Sequence, residues 1–372
     1  MKVIAFYLPQ FHEIPENNEW WGEGFTEWVN VKKAQPLYAG QNQPRIPLNE
    51  NYYNLLDDSV KKWQVDIAKE YGVYGFCMYH YWFNGHLLLE KPVEQYLANK
   101  ELDLPFCLCW ANENWTNAWA AGGNKILISQ TYGDKKEWKE HFEYFLPFFK
   151  DDRYIKENNC PLLVVYRPDI MEHRNEIFDY WNELAKENGF DGIVIANQYS
   201  SIEDLNGDDS RIKYHIEYQP NYASRWVKGK LYNSLRIMKK KITNVIEHVF
   251  KTSYFTTHAV EQKLEMRDYD KFWKAILEHK PASDKAVPGA FVDWDNTPRK
   301  GERGSVFFNS SPKKFEKYFG MLVEKAQKEY KNDYLFMFAW NEWAEGGYLE
   351  PDEKNGYGYL EAIKSVLEKN TK

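Results

Sequence analysis

Eight short apolar runs set the frame for this chain. They are Val3–Leu8, Val73–Tyr79, Pro105–Trp110, Leu162–Tyr166, Gly192–Asn197, Tyr214–Tyr218, Gly289–Trp294 and Tyr334–Trp340. Most are continuously apolar rather than alternating, the pattern of parallel strands covered on both faces. Helical segments fall between most of them. Val60–Tyr71 precedes the second run, Lys135–Phe149 the fourth, Glu172–Asn188 the fifth and Lys314–Lys331 the eighth, and Gly358–Lys369 closes the chain. Strands alternating with helices build βαβ units. Eight such units predict a closed (β/α)8 TIM barrel of the α/β class, with a doubly wound sheet as the alternative. The 372 residues fit one barrel. No linker, internal repeat or low-complexity tract divides them, so residues 1–372 read as a single domain.

Two stretches depart from the plain alternation. Residues 10–58 form a long first connection rich in Trp, Pro, Asn and Gly. Long irregular connections in compact domains are functional or disordered, and this one is too aromatic for disorder. It is expected to fold over the barrel mouth. The second stretch is an insertion near residues 222–286. In it Leu231, Leu235, Met238, Ile242, Val245 and Val249 fall at spacings of three and four, one helical stripe. Lys239, Lys240 and Lys241 lie beside the stripe. The expectation is a helix packed on the barrel with a solvated basic edge; a membrane-surface or partner site is the other reading.

Bulk properties narrow the partner. The net charge of −7 argues against a sequence-independent grip on nucleic acid, which needs a basic surface. No stretch approaches the length of a membrane span. The start, Met1-Lys2-Val3, runs straight into a strand with no signal-peptide pattern, so a cytoplasmic location is expected. Cys77, Cys107, Cys109 and Cys160 form no CxxC pair and are expected as buried thiols. The 15 Trp, 27 Tyr and 22 Phe admit two readings. One is an aromatic cleft that stacks on the flat faces of sugars; the other is a core and surface rich in rings.

In a barrel of this kind chemistry sits at the C-terminal ends of the strands. Unusual residues follow each run. The first is followed by Pro9-Gln10-Phe11-His12 and then by Glu27-Trp28; the second by His80-Tyr81-Trp82; the third, ending in Trp110, by Asn112-Glu113-Asn114-Trp115. Arg167-Pro168-Asp169 follows the fourth and Asn197-Gln198 ends the fifth. The sixth carries Glu217-Tyr218-Gln219. The seventh ends in Asp293-Trp294-Asp295-Asn296 with Arg299 close behind, and the eighth in Asn341-Glu342-Trp343-Ala344-Glu345. Each residue alone has a dull account as a cap or a loop hydrogen bond. Together they predict a polar, aromatic-lined pocket. Its expected sugar contacts are Glu27, Trp28, His80, Tyr81, Trp82, Trp110, Asn112, Glu113, Trp115, Tyr218, Asp293, Asp295, Asn296, Arg299, Asn341 and Trp343.

The eighth run is the most informative. Glu342 and Glu345 are three apart, and in an extended strand such residues face opposite sides. They converge only if the chain turns after Glu342, and Gly346-Gly347 makes a turn plausible. Glycoside cleavage needs two carboxyl groups flanking one bond, about 5–5.5 Å apart for retention. One must hold a proton near neutral pH, which an apolar setting or a like charge promotes; Trp340 and Trp343 are candidates for that setting. A solvated ExxE turn is the bland alternative.

Other constellations carry less. No HxH or HExxH spacing surrounds His80 and His86, so no metal is expected. Asp293 and Asp295 form a DxD, which fits either sugar hydrogen bonding with Asn296 and Arg299 or a divalent ion with a nucleotide-sugar diphosphate. The first is the preferred reading. No phosphate-binding glycine loop and no GxSxG elbow are present, so no cofactor is expected.

The segment from Asn341 to Gly346, continuing through Leu349-Glu350-Pro351, resembles the catalytic segment of family 99 glycoside hydrolases, the endo-α-mannosidases. More closely, nearly the whole chain resembles the WbsX-type proteins, family-99-like barrels linked to O-antigen and other bacterial surface-polysaccharide loci. The matching stretches are Phe6–His12, Gly24–Trp28, Tyr79–Phe83, Leu108–Glu113 and Trp294–Arg299. The resemblance implies that Glu342 acts as a base on a sugar 2-hydroxyl, giving an anhydro-sugar intermediate, and that Glu345 is the general acid and then the base. This chain has Ala344 where those hydrolases often carry His. WbsX-type proteins have also been labelled glycosyltransferases. Three functions are therefore expected in descending order: a retaining hydrolase of a bacterial surface polysaccharide or mannan-like glycan, a glycosyltransferase in O-antigen, lipopolysaccharide or capsule biosynthesis, and a sugar-binding barrel without catalysis.

Overall fold

The computed structural model describes residues 1–117, 125–198, 210–227 and 263–370. Eight barrel positions follow one another: β1 (Lys2–Tyr7), β2 (Gly75–Phe83), β3 (Phe106–Trp110), β4 (Cys160–Val165), β5 (Val194–Gln198), β6 (Ile212–Ile216), β7 (Ala286–Val287 and Gly289–Phe291) and β8 (Tyr334–Phe338). Neighbours in this series pair in parallel, and β1 lies between β2 and β8. The two pieces of β7 close the ring. Ala286 pairs with His215 of β6, while Gly289 pairs with Phe336 of β8. Pro288 stands between them, where the strand changes partner; it donates no hydrogen bond, and its carbonyl accepts from the Phe336 amide at 3.0 Å. The parallel barrel expected from the eight runs is the fold observed.

The continuous apolar runs have the predicted cause. Every residue of β2 is buried, with alternate side chains directed to the barrel interior and to the surrounding helices. Inside, Phe6 packs against Tyr79, Tyr218 and Phe336 with ring centroids 5.2–5.8 Å apart. Outside, His80 and Trp110 pack on His141 of the helix Lys135–Lys150. Much of the aromatic surplus therefore belongs to the core, the second of the two readings of composition.

The expected helices are present as Asp58–Glu70, Lys135–Lys150, Arg174–Glu187, Pro312–Glu329 and Gly358–Asn370. Asp57, Asp134 and Ser311 cap three of them by accepting from backbone amides of the first turn. A helix at Lys91–Ala98, missed in the sequence, packs its Tyr96 on Phe106 of β3, with ring centroids 5.2 Å apart. The first connection contains helices Pro15–Trp21 and Glu27–Lys33 and then runs irregularly back to the barrel. Its Leu48 amide bonds the Pro351 carbonyl at 3.0 Å, so it packs beside the end of β8.

The helical stripe expected at Leu231–Val249 lies outside the described residues. The described parts of that insertion are a short helix, Ser224–Val227, a strand, Glu265–Asp268, and a helix, Tyr269–Glu278. The strand pairs in parallel with Ser305–Phe308 to make a two-stranded ribbon outside the barrel. Among the described residues no helix is long and apolar enough to cross a membrane.

Candidate active site

The chain beyond β8 turns as its sequence predicts. Asn341–Glu342 pairs antiparallel with Gly347–Tyr348, and Trp343–Glu345 makes one tight helical turn between them. Gly346 carries the reversal at φ +66°, and a Cβ there would lie 2.7 Å from the Asp295 amide. A Cβ on Gly347 would lie 2.2 Å from the Phe338 ring. Both glycines are required by this geometry.

The turn brings Glu342 and Glu345 to one guanidinium. Arg299 donates from Nη1 to Glu345 Oε1 at 2.7 Å and from Nη2 to Glu342 Oε2 at 3.3 Å. Glu27 accepts from the same Nη2 at 3.0 Å and from Nε at 3.2 Å. Arg299 is placed by the short helix Thr297–Lys300, which begins where Asp295 accepts from the Thr297 amide. Three carboxylates thus surround one cation whose side chain is 8% exposed. Burial works against the charge on Arg299, but Glu27, Glu342 and Glu345 outweigh it and hold the guanidinium above its ordinary range. Burial pushes the Glu342 carboxyl up to about 8; Arg299 opposes the shift, and Glu345 and Glu27 add to it. The raised carboxyl is thus Glu342, which the resemblance casts as the base; from the sequence the held proton is expected on the general acid, a role the resemblance gives to Glu345.

Glu345 reaches a cavity of about 740 Å³ at the C-terminal ends of the strands. Tyr166, Tyr218 and Trp294 supply its aromatic wall, and Asn221, Asn296 and Ser305 its neutral polar groups. Lys263, Glu265, Arg267, Lys300 and Arg303 complete the rim. Glu342 lies behind Glu345 with its side chain 8% exposed, against 21% for Glu345. A larger depression of about 900 Å³ runs between the helices Asp58–Glu70 and Gly358–Asn370, but Lys and Glu side chains at the outer surface line much of it.

Of the residues expected to touch sugar, Tyr218 and Asn296 line this cavity and Arg299 holds the acids beside it. Most of the others have different places, and strand alternation explains several. His80 and Trp82 point outward from β2: His80 meets His141 at 2.9 Å, and Trp82 stacks on His141 and donates to Glu137. Trp110 packs against Trp181 in the same layer. Tyr81 points inward and accepts from Gln10 at 3.1 Å, with Trp115 packed on its ring. Asn112 clamps both backbone groups of Arg167, and Glu113 pairs with the Arg167 guanidinium near solvent. Asn341 does the same for Leu8, its amide accepting at 2.7 Å and donating at 3.0 Å. Trp343 stacks on Tyr348 and donates to the buried Glu350, while Trp28 packs on Trp343. Glu27 is fully buried and serves Arg299 as counter-ion.

The DxD pair faces away from the cavity. Asp293 pairs with Arg45 at 2.8 Å. Asp295 accepts from Gln41, Gln43 and Thr297, so both its oxygens are occupied. The chain leaves strand geometry after Phe291, and Trp294, between the two acids, is the residue that faces the cavity. Among the described residues no group of three or more His, Cys, Asp or Glu is gathered for a metal.

Glu350 stands out in the sequence only as part of the Leu349-Glu350-Pro351 stretch, yet it knits the site together. It accepts from Tyr53 at 2.8 Å, Gln64 at 2.7 Å and Trp343 at 2.6 Å; burial pushes its carboxyl up to about 7 against the opposing pull of these donors. Arg267 and Glu265 gave no signal, because the ribbon that presents them was hidden within the insertion.

A family profile described as Glycosyltransferase WbsX matches residues 3–363. The chain is 33% identical over 374 residues to the uncharacterized protein WxcX of Xanthomonas campestris pv. campestris strain B100, covering 98% of this chain and 49% of that one. A second WxcX, from strain ATCC 33913, is equally similar over 368 residues. The chain therefore spans about half the length of these relatives. Among solved structures, the GH99 endo-alpha-mannosidase from Bacteroides thetaiotaomicron shares the fold at a TM-score of 0.56 and 11% identity, covering 99% of this chain and 96% of that one. A structure described as a glycoside hydrolase-like protein superposes at 0.52 with 12% identity over 98% and 93% of the two chains.

Proposed function

This chain belongs to the WbsX family, and on that premise we propose that it is a glycan-processing enzyme that cleaves a bacterial surface polysaccharide or mannan-like glycan with retention, using Glu342 and Glu345. One observation carries the reading: two carboxyls at the end of β8 share one guanidinium, and one of them opens on a cavity large enough for sugar rings. Glu345, at the wall, is placed to give a proton to a leaving oxygen and later to recover one from water. Glu342 suits the base at a sugar hydroxyl. A carboxylate whose conjugate acid lies near pH 8 is a stronger base than an ordinary one, and its proton exchanges near the working pH. Tyr218 and Trp294 would lie along the sugar faces. Likeness to the mannosidase supports the mannan-like substrate class.

The test is a screen of mannans and bacterial surface glycans with products read by mass spectrometry, then repeated with Glu345→Gln and Glu342→Gln. Each variant should lose about 10²–10⁴ in turnover, the usual worth of general acid–base catalysis, while still binding. Full turnover in both would remove the pair from the chemistry.

The basic rim and the family's description favour one second reading, transfer from a nucleotide sugar. Calorimetry with nucleotide sugars, with and without manganese, decides it, and absence of binding counts against it.

A further inference from the structure

The lining of the cavity that Glu345 reaches is largely basic. Four cations, Lys263, Arg267, Lys300 and Arg303, stand on it against two carboxylates. Both carboxylates are already matched: Glu265 accepts from Arg267 at 2.9 Å and Glu345 from Arg299 at 2.7 Å. Among the described residues no carboxylate pairs with Lys263 or Lys300. This concentration of positive charge occurs on a chain whose net charge is −7, so overall composition does not account for it.

Arg267 is the most informative of these cations. It lies on the ribbon strand Glu265–Asp268, where Glu265 and Arg267 are two apart and so share a face, and Lys263, just before the strand, lines the same cavity. Its side chain is only 12% exposed, and its plane lies over the Phe272 ring at 5.8 Å. Nη2 holds Glu265, but Nε and Nη1 have no hydrogen-bond partner. Buried guanidinium donors without acceptors are costly. The guanidinium fork matches the geometry of carboxylate and phosphoryl oxygens.

We propose that the wall formed by Arg267, Lys263, Lys300 and Arg303 is an anion subsite, and that the glycan acted on carries a carboxylate or phosphoryl group on a sugar bound next to the one attacked at Glu345. This rests on the reading of Glu342 and Glu345 as the working pair. A cleft lined by one sign of charge focuses its field and raises the local concentration of an oppositely charged ligand. A neutral mannan offers this wall only hydroxyl oxygens, whereas an acidic sugar adds an anionic group that the surplus of cations favours.

The experiment is calorimetry at low and high salt with D-glucuronate, D-glucose 6-phosphate, D-glucose and UDP-glucose. The charged monosaccharides should bind at least 10-fold tighter than glucose at low salt and lose that advantage at high salt, where screening shortens the reach of the rim charges. Preference for glucuronate over the phosphate, or the reverse, identifies the group. Arg267→Gln should abolish the preference. Lys300→Gln, on the exposed rim, should reduce it a few-fold without altering the melting temperature, which separates binding from folding. Equal binding of glucose and the charged sugars would overturn the subsite. Binding of UDP-glucose alone would also overturn it, assigning the wall to a donor diphosphate. Failure here leaves the carboxylate pair untouched, because that pair is judged by cleavage in Glu345→Gln. Conversely, full cleavage in Glu345→Gln removes the pair and leaves the anion preference to be read by binding alone.

Discussion

Glu342→Gln gives the sharpest test of the electrostatics and needs no substrate. A Glu side chain ordinarily ionises near pH 4.5, whereas burial raises Glu342 to about 8. Between those values the folded protein holds a proton that the unfolded chain has released. Stability therefore falls as pH rises through the window. At about 1.4 kcal/mol per pH unit, the span from 4.5 to about 8 amounts to roughly 3–5 kcal/mol by pH 8. Gln has the shape of the protonated acid but never ionises. At pH 5 the variant and the parent should differ by no more than about 1 kcal/mol. At pH 8 the variant should be more stable by that amount. With an unfolding entropy of about 2 cal/mol/K per residue, 372 residues make 1 kcal/mol worth about 1.3 °C, so the variant should melt roughly 4–6 °C higher at pH 8. Calorimetric melts from pH 5 to 8 measure it. Parallel curves, or a parent that gains on the variant as pH rises, would mean that the Arg299 ion pair outweighs burial, and the argument for a proton-holding Glu342 would fail.

Arg299→Gln leaves three carboxylates without their cation and should cost about 3–5 kcal/mol at pH 8, with less cost at pH 5 and partial recovery in the Arg299→Gln/Glu27→Gln double variant; denaturant titrations in a double-mutant cycle read this. In kcat/KM against pH, a base role for Glu342 predicts a rise through a limb near 8, while a fall through that limb would give it the acid role. Gly347→Ala should destabilise by about 1–3 kcal/mol and suppress turnover, because the new methyl meets the Phe338 ring; melting and activity assays check both. Burial lowers His80 to about 3, so its contribution is present above pH 6.5 and lost as pH falls toward 3. The His80→Phe/His141→Phe variant should show a flatter acid limb in stability measured from pH 7 to 4.

The barrel was legible because a strand buried on both faces must be apolar throughout, and that constraint leaves eight readable runs. The turn at Gly346-Gly347 and the meeting of Glu342 with Glu345 were legible for a similar reason, since two adjacent glycines after a buried strand mark a reversal. The placement of His80, Trp82 and Trp110 was not. Pairing within a strand fixes which residues share a face, but the face that meets the helices and the face that meets the interior look alike when both are aromatic. Asn112 and Asn341 show a second limit: an amide that satisfies backbone groups and an amide that satisfies a sugar have the same side chain. The DxD pair shows a third, since its partners Gln41, Gln43 and Arg45 lie some 250 residues away along the chain.

The Glu265–Asp268/Ser305–Phe308 ribbon has a consequence for how the lining of this cavity can vary. The acids sit on a hairpin whose Glu345 carbonyl is fastened to the Asp295 amide at 2.7 Å, deep in the scaffold. Arg267, by contrast, is carried on an appendage outside the barrel wall. The strand Ser305–Phe308 is tied to the barrel, its Ser305 carbonyl accepting from the Asn296 amide at 3.2 Å and its Phe307 amide donating to the Trp294 carbonyl at 2.9 Å. The exchangeable part is therefore the outer strand Glu265–Asp268, whose replacement would change the charge on the cavity rim while Glu342, Glu345 and Arg299 keep their places.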